Sequence, residues 1–152
     1  LQGYGDTTTD ELNAAIQAAP DAFISVGMAT TFFTQQLNAA GIEFSDIDSF
    51  TKSNGEAISE GKLVYLAGKY SSSVGPAFAL VMNAVNGNVI RDAEGNAVSI
   101  SQNYQVATDE ATFDEFFKTD NGDNPIYNKE TLDTIIGDYV TCDDITKLVE
   151  SK

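Results

Sequence analysis

Residues 22–26 read Ala-Phe-Ile-Ser-Val, a short apolar run bounded by an aspartate and a glycine. A run of this length with these flanks is typical of a buried strand. The residues from 30 to 40 then repeat apolar side chains at helical spacing, and Gly41 is placed to end a helix. The stretch from 22 to 41 therefore predicts a strand followed directly by a helix.

The same alternation continues on both sides of this stretch. Upstream, Thr8–Glu11 has the Thr-x-x-Glu form of a capping box and predicts the start of a helix that Pro20 ends. Downstream, residues 47–51 and 63–67 predict two further strands, with a short helix over 54–60 between them. Strands that alternate with helices favour parallel pairing through right-handed crossovers.

The middle of the sequence predicts a stronger helix. Ser73 is suited to cap it, Pro76 fits its first turn and Gly87 is placed to end it. The apolar face of this helix is formed by Phe78, Val81, Met82 and Val85.

A β-hairpin, one strand and three helices complete the predicted elements. Residues 89–90 and 98–100 flank a polar loop and predict the hairpin, and residues 104–107 predict a strand. Thr108 is expected to cap the next helix, and two short helices follow, the first of them after Asn128. The helix after Thr108 carries Phe113, Phe116 and Phe117.

Together these elements predict an α/β fold with an open, mainly parallel, Rossmann-like sheet, helices on both faces and a late β-hairpin. The length of 152 residues suits one domain with one core. The chain begins at Leu1 without a methionine, so we also expect an upstream portion in the natural protein.

The charge of the chain argues against two classes of partner, and its cysteine content excludes an internal disulfide. Twenty-three acidic residues against eight basic ones give a formal net charge of −15, which opposes binding to nucleic acid and to anionic lipid surfaces. We therefore expect no nucleic-acid partner. Cys142 is the only cysteine, so the chain cannot form an intramolecular disulfide.

The chain contains no histidine, which removes the usual general base and the Ser-His-Asp and Cys-His nucleophile systems. One cysteine without histidine also excludes a structural zinc site. The oxygen-rich stretch Asp120–Asn124 with Glu130 does not fit the register of a calcium loop and predicts a turn. We expect no metal, no cofactor and no enzymatic activity, although a pair of carboxylates across a cleft stays open as a catalytic alternative.

The candidate binding residues lie where the predicted strands end. Ligands of open α/β sheets bind outside the carboxyl ends of the strands, where polar and aromatic groups can converge. Lys69 and Tyr70 are the strongest candidates, because Lys69 is one of few cations and Tyr70 can stack on a ligand while its hydroxyl forms a hydrogen bond. The full set of candidate ligand-binding residues is Tyr4, Asp6, Met28, Thr30, Thr51, Lys52, Lys69 and Tyr70.

Several segments give the chain a family resemblance. Residues 20–26 read Pro-Asp-Ala-Phe-Ile-Ser-Val, and the helix after them ends in Leu37–Gly41. With Glu60–Ala67, an Asn-Gly at the end of the helix after Ser73, and Asn124–Tyr127, these segments resemble the second lobe of sugar-type periplasmic binding proteins of ABC transporters. The resemblance covers most of the chain.

The resemblance implies a function and a set of partners. Residues 1–152 would form a single lobe truncated from a two-lobed protein, and a small polar solute, a sugar or a related compound, would be captured between this lobe and the missing N-terminal lobe. The further partners would be the ABC permease subunits. The location would be extracytoplasmic, at the periplasm or the cell surface, with a lipid anchor on the full-length protein.

Two other functions stay open at this point. One is an enzyme on the same α/β scaffold, because a fold does not determine a function. The other is a cell-surface interaction module whose binding patch would be formed by Phe113, Phe116 and Phe117.

Overall fold

The computed structural model describes residues 6–152, with side chains from Thr9 onward. The chain divides into two compact units. The sheet unit comprises the described residues up to Gly68 together with Gln105–Glu115, and the helical unit comprises Lys69–Tyr104 together with Phe116–Lys152.

The described residues form four strands, eight α-helices and one 3-10 helix. The strands are β1 (Phe23–Ile24), β2 (Phe44–Ile47), β3 (Leu63–Gly68) and β4 (Gln105–Ala107). The α-helices are α1 (Asp6–Gln17), α2 (Ala29–Phe32), α3 (Thr34–Ala40), α4 (Lys52–Ser59), α5 (Gly75–Val85), α6 (Glu110–Asn121), α7 (Lys129–Asp133) and α8 (Cys142–Glu150), and the 3-10 helix is Ser71–Val74.

The sheet is open, with four strands in the order β1-β2-β3-β4. The first three strands are parallel, and β4 pairs antiparallel to β3, so that Gly68 lies opposite Gln105. The alternation of strands and helices in the sequence therefore predicted the fold class correctly: the sheet unit is α/β with a mainly parallel sheet.

The core of the sheet unit is built from side chains of β2 and of the helices of this unit. Side chains along β2 alternate between buried and half-buried, and Phe44 is fully buried. Leu12 on α1 and Leu37 on α3 are also almost completely inaccessible to solvent. Phe50, in the loop after β2, meets the Phe113 ring edge-on at 6.1 Å between centroids. Because Phe113 is buried, it is not part of an exposed aromatic patch.

β1 differs from the buried strand that its sequence predicts. The regular strand is only two residues long, and the side chains of Ile24 and Val26 are 81% and 79% exposed. The reason lies in the order of the sheet, since β1 is the edge strand and pairs only with β2 in the described chain. An apolar sequence run does not distinguish an edge strand from a central one.

β2 lies three residues earlier than predicted. The sequence prediction placed a strand over 47–51, but the strand ends at Ile47, and Phe50 lies in the loop. The prediction was wrong because nothing in the local sequence indicates that Asp46 can lie inside a strand. The actual strand contains Asp46, whose buried carboxylate is stabilised by backbone donors of another segment.

Three helix boundaries also differ from the predictions. α1 already includes Thr8 and begins at Asp6, so Thr8 is not its N-cap. The helix predicted over 30–40 is two helices separated at Phe33, whose ψ of −14° at a φ of −122° leaves the α-helical region. α4 begins at Lys52, two residues before the predicted start, because the hydroxyl of Thr51 accepts the backbone N–H of Asn54.

The helical unit has its own small core. Ala79, Ile135 and Ile145 are buried together at its centre, and half-buried aliphatic side chains pack around them. Asn83 lies inside this core, where its side chain donates to the carbonyl of Ile135 and accepts the N–H of Gly137, both at 2.8 Å. One buried amide thus fixes the segment between α7 and α8 against α5.

α5 agrees with its prediction in position but not in burial. It starts at Gly75 with Pro76 in its first turn and ends before Gly87, whose φ is +97°. Ser73 lies in the 3-10 helix, and the residue at the N-cap is Val74, without a side-chain hydrogen bond. Most of the predicted apolar face is exposed: Phe78, Val81 and Val85 all lie on the accessible side of the helix.

The remaining elements match their predictions in part. The hairpin is reduced to a single antiparallel bridge between Arg91 and Ala97. At the start of α6 the carboxylate of Asp109, instead of the Thr108 hydroxyl, accepts the N–H of Thr112. α7 follows Asn128 as predicted, and the Asn128 side chain caps it by accepting the N–H of Thr131. Within residues 6–152 no helix is long and apolar enough to cross a membrane.

Candidate functional site

The carboxyl ends of β1 and β2 place two connecting segments at the same edge of the sheet. The segment after β1 runs from Ser25 to the start of α2, and the segment after β2 runs from Asp48 to the start of α4. Ligands of open parallel sheets bind at this edge, because loops and helix N-termini converge there. We call the two connecting segments together the carboxyl-edge loops.

The first of these loops has an unusual backbone. Gly27 has a φ of +98°, and Met28 lies in the left-handed region with a φ of +62°. A left-handed conformation costs a non-glycine residue on the order of 1 kcal/mol and persists only where the surroundings hold it. The Met28 side chain is 42% exposed. Part of Met28 is therefore accessible at the carboxyl edge of the sheet.

Asp46 holds that loop in place. The side chain is completely buried, and its two oxygens accept the N–H groups of Gly27 and Ala29, both at 2.8 Å. Oδ1 also accepts the N–H of Ile47 at 2.9 Å. Three backbone donors replace the hydration of the carboxylate, so the buried charge is compensated without a basic side chain.

Asn54 joins the two carboxyl-edge loops. Its buried side-chain oxygen accepts the hydroxyl of Thr30, and its amide nitrogen donates to the carbonyl of Ser49 at 2.8 Å and to Asp48 Oδ2 at 3.4 Å. Its backbone N–H donates to Thr51 Oγ1 at 3.2 Å. A single amide therefore fixes groups from both loops in one network.

The outer part of the network carries polar groups that reach solvent. Thr51 Oγ1 lies 3.2 Å from Ser53 Oγ, and both residues are exposed at the N-terminus of α4. The half-buried carboxylate of Asp48 accepts the N–H of Ser49 at 2.7 Å. Two hydroxyls and one carboxylate on a fixed backbone can replace the hydration shell of a polar solute.

The structure brings some of the predicted site residues together. Thr30 and Thr51 both bond to Asn54, and Met28 lies two residues before Thr30. Lys52 instead has its side chain 86% exposed and pairs with Glu56 at 3.7 Å along α4. Tyr4 lies outside the described residues, and Asp6 is the first residue of α1, with a side chain outside the described part.

Lys69 and Tyr70 belong to the helical unit. The ammonium of Lys69 lies 5.1 Å from the centroid of the Tyr104 ring, within the range of a cation–π contact. The Tyr70 ring meets the Phe116 ring edge-on at 6.1 Å between centroids. Nearby, both carboxylate oxygens of Asp120 accept hydrogen bonds from Ser71. In the described residues this lysine and this tyrosine are thus part of local packing within their own unit.

The sequence prediction missed Asp46, Asp48 and Asn54, which organise the carboxyl-edge loops. Asp46 was overlooked because the predicted strand began after it. Asn54 could have been found, because it stands three residues after Thr51, at the N3 position whose backbone N–H an N-cap hydroxyl accepts. Nothing in the sequence indicates that its side chain reaches Thr30.

The residues that the structure describes contain no cluster of three acidic, cysteine or histidine side chains suited to hold a metal ion. Comparison with known proteins adds no relative: no family model, curated protein or solved structure matches the chain.

Proposed function

We propose that this chain is one lobe of an extracytoplasmic solute-binding protein of an ABC importer, and that the carboxyl-edge loops bind a small polar solute. The observation that carries the proposal is the network through Asn54, which holds Asp48, Thr51 and Thr30 at the carboxyl edge of parallel strands. Binding sites need polar groups in fixed positions, because groups that must first be ordered lose affinity.

The chemistry of these loops favours binding over catalysis. Hydroxyls and carboxylates are suited to bind the hydroxyl groups of a sugar or a related solute, because both can accept a hydrogen bond from such a group. The chain has no histidine to act as a general base near neutral pH. The Asp46 carboxylate is completely buried and bonded to three backbone donors, so it is not accessible to a solute as a catalytic group.

The remaining parts of the proposal rest on the resemblance of residues 20–41 and 60–67 to sugar-type periplasmic binding proteins. In the complete lobe, helices would cover both faces of the sheet. A second α/β lobe would supply the other wall of the solute cleft, and closure of the two lobes would present the solute to the permease subunits. A lipid anchor would keep the full-length protein at the membrane surface.

The test is a titration of the chain with pentoses, hexoses and nucleosides, followed through its backbone amide NMR signals. With one wall of the cleft, we expect dissociation constants in the millimolar range and shifts confined to residues 27–30 and 48–54. Asp48→Ala should abolish these shifts. Glu43→Ala is the matched control, because Glu43 is an exposed carboxylate at the opposite, amino end of the same strand.

Three results would count against the proposal. The first is a folded chain whose amide signals respond to none of these solutes. The second is a set of shifts located away from the carboxyl-edge loops, and the third is an equal effect of Asp48→Ala and Glu43→Ala.

A further inference from the structure

One side of α5 is an exposed apolar surface. Val74, Phe78, Val81 and Val85 follow one another at intervals of four, three and four residues, so they share one side of the helix. Their side chains are 69%, 51%, 59% and 74% exposed. We call these four residues the α5 stripe.

The opposite side of α5 is buried in the helical unit. Ala79 and Asn83 are completely inaccessible to solvent, and Leu80 packs against the same core. A surface helix normally carries polar residues on the side away from its core. α5 instead carries apolar side chains on that outer side, so the packing within its own unit does not account for the α5 stripe.

The sequence on both sides of the α5 stripe carries no charge over a long stretch. The sequence contains no charged residue between Lys69 and Arg91, although the chain as a whole carries 23 acidic and eight basic residues. Depletion of charged residues at the centre is a feature that distinguishes protein interfaces from other surface. The uncharged stretch between Lys69 and Arg91 therefore contains the four exposed apolar side chains of the α5 stripe.

We propose that the α5 stripe is a self-association surface and that two copies of this chain pair through it around a two-fold axis. In this arrangement the two α5 helices run antiparallel, and Phe78 of one copy faces Val81 of the other. The four side chains of the α5 stripe carry no charge, so their pairing brings no like charges together.

The α5 stripe is small for a dimer interface. With the exposed flanking residues Ala77 and Ala84, the α5 stripe presents on the order of 500 Å² per copy, near the lower limit for a specific interface. We therefore expect a weak dimer, with a dissociation constant of about 10 to 100 μM. A lipid surface is the less suitable occupant, because the net charge of −15 opposes approach to anionic headgroups.

The salt dependence distinguishes this interface from one held by ion pairs. Two copies that each carry a charge of −15 repel one another over long distances, and salt screens that repulsion. Salt does not weaken contacts between apolar side chains. The dimer should therefore become stronger as the salt concentration rises, whereas an ion-paired interface becomes weaker.

The experiment is sedimentation equilibrium of the chain over a range of protein and salt concentrations. We expect a monomer–dimer equilibrium that shifts toward dimer at high salt. Val81→Lys should raise the dissociation constant by more than about tenfold, because each copy then places a charge in an apolar contact. Val81→Ala, which keeps the helix and adds no charge, should weaken the dimer by a smaller factor of about three.

Val26→Lys is the matched control, because Val26 is a valine with 79% exposure in the loop after β1, in the sheet unit. It should change the dissociation constant by less than about twofold. Circular dichroism of each variant confirms that the fold is retained.

The proposal is wrong if the chain stays monomeric at high protein and salt concentration. In that case the α5 stripe is covered by a different polypeptide or by lipid. It is also wrong if the dimer weakens with salt, or if Val26→Lys disrupts the dimer while Val81→Lys does not. None of these results bears on solute binding, which is measured separately through the carboxyl-edge loops.

Discussion

The carboxylate of Asp46, inside the sheet, accepts the backbone N–H of Ala29 at 2.8 Å, at the first residue of α2. Both residues are completely buried, and they are 17 positions apart in the sequence. The bond links β2 to the loop that carries Met28. A side chain that contacts no solvent thereby determines the backbone conformation of a candidate binding loop.

Removing this carboxylate should destabilise the sheet unit. Asp46→Ala leaves the N–H groups of Gly27 and Ala29 without their acceptors, and a buried donor without a partner costs about 1–3 kcal/mol. We expect a total loss of about 2–4 kcal/mol in the free energy of unfolding, measured by urea titration with circular dichroism. Glu43→Ala, an exposed acidic residue of the same region, should change it by less than about 0.5 kcal/mol. Equal effects of the two substitutions would show that the Asp46 bonds do not stabilise the fold.

Gly55 on α4 should not tolerate a side chain. A Cβ at this position would lie 2.4 Å from Cε1 of Phe113, closer than real contacts allow, so the Phe113 ring must move. In an exposed helix Gly→Ala is stabilising by about 1 kcal/mol, but overpacking here should outweigh that gain and destabilise the protein by about 1–3 kcal/mol.

The double variant Gly55→Ala with Phe113→Leu tests the cause. If the clash is responsible, the smaller Leu side chain should make the loss in the double variant smaller than the sum of the two single losses. Strictly additive losses would contradict the assignment of the clash to Phe113.

Asn83 should be essential for the stability of the helical unit, although its side chain is polar and buried in an apolar core. Asn83→Ala leaves the carbonyl of Ile135 and the N–H of Gly137 without their partner, and we expect a loss of about 2–4 kcal/mol in the free energy of unfolding. Amide hydrogen exchange of α7 and α8 should become faster. Asn86→Ala is the control, since Asn86 is exposed at the end of the same helix, and its loss should be below about 1 kcal/mol. Unchanged exchange in Asn83→Ala would contradict this role.

The capping box of α8 should make its stability depend on pH. The Thr141 hydroxyl and then the Thr141 backbone N–H donate to Asp144, and they hold the pKa of this carboxyl below its ordinary value of 3.8. Because the pKa is lowered in the folded protein, the stabilisation is fully present above pH 3.8 and is lost as the pH falls through the lower, folded-state pKa.

The measurement compares Asp144→Asn with wild type over this pH range. We expect the variant to be less stable near neutral pH and the difference to shrink in acid. Asp143→Asn removes the same charge one residue earlier in α8 and is the control for the net charge and the helix dipole. A difference that grows as the pH falls would contradict the assignment of the lowered pKa to the capping box.

The sequence alone determined the features that depend on neighbours along the chain. The alternation of apolar runs with helical periodicity predicted an α/β fold, and β3 was placed over 63–67 almost to its observed end at Gly68. Gly41 and Asn128 were recognised as helix ends because their signals are local: a left-handed φ of +69° in one case and a side-chain cap in the other.

Tertiary structure alone decided which apolar residues are buried and which polar ones are tolerated inside. Ile24 and Val26 are exposed because β1 is the edge strand, and the α5 stripe is exposed because the other side of that helix faces the core. Asp46 is buried because N–H groups 17 and 19 residues away are in reach of its oxygens. Periodicity shows that a side chain is suited to burial, but whether it is buried depends on the segment packed across from it.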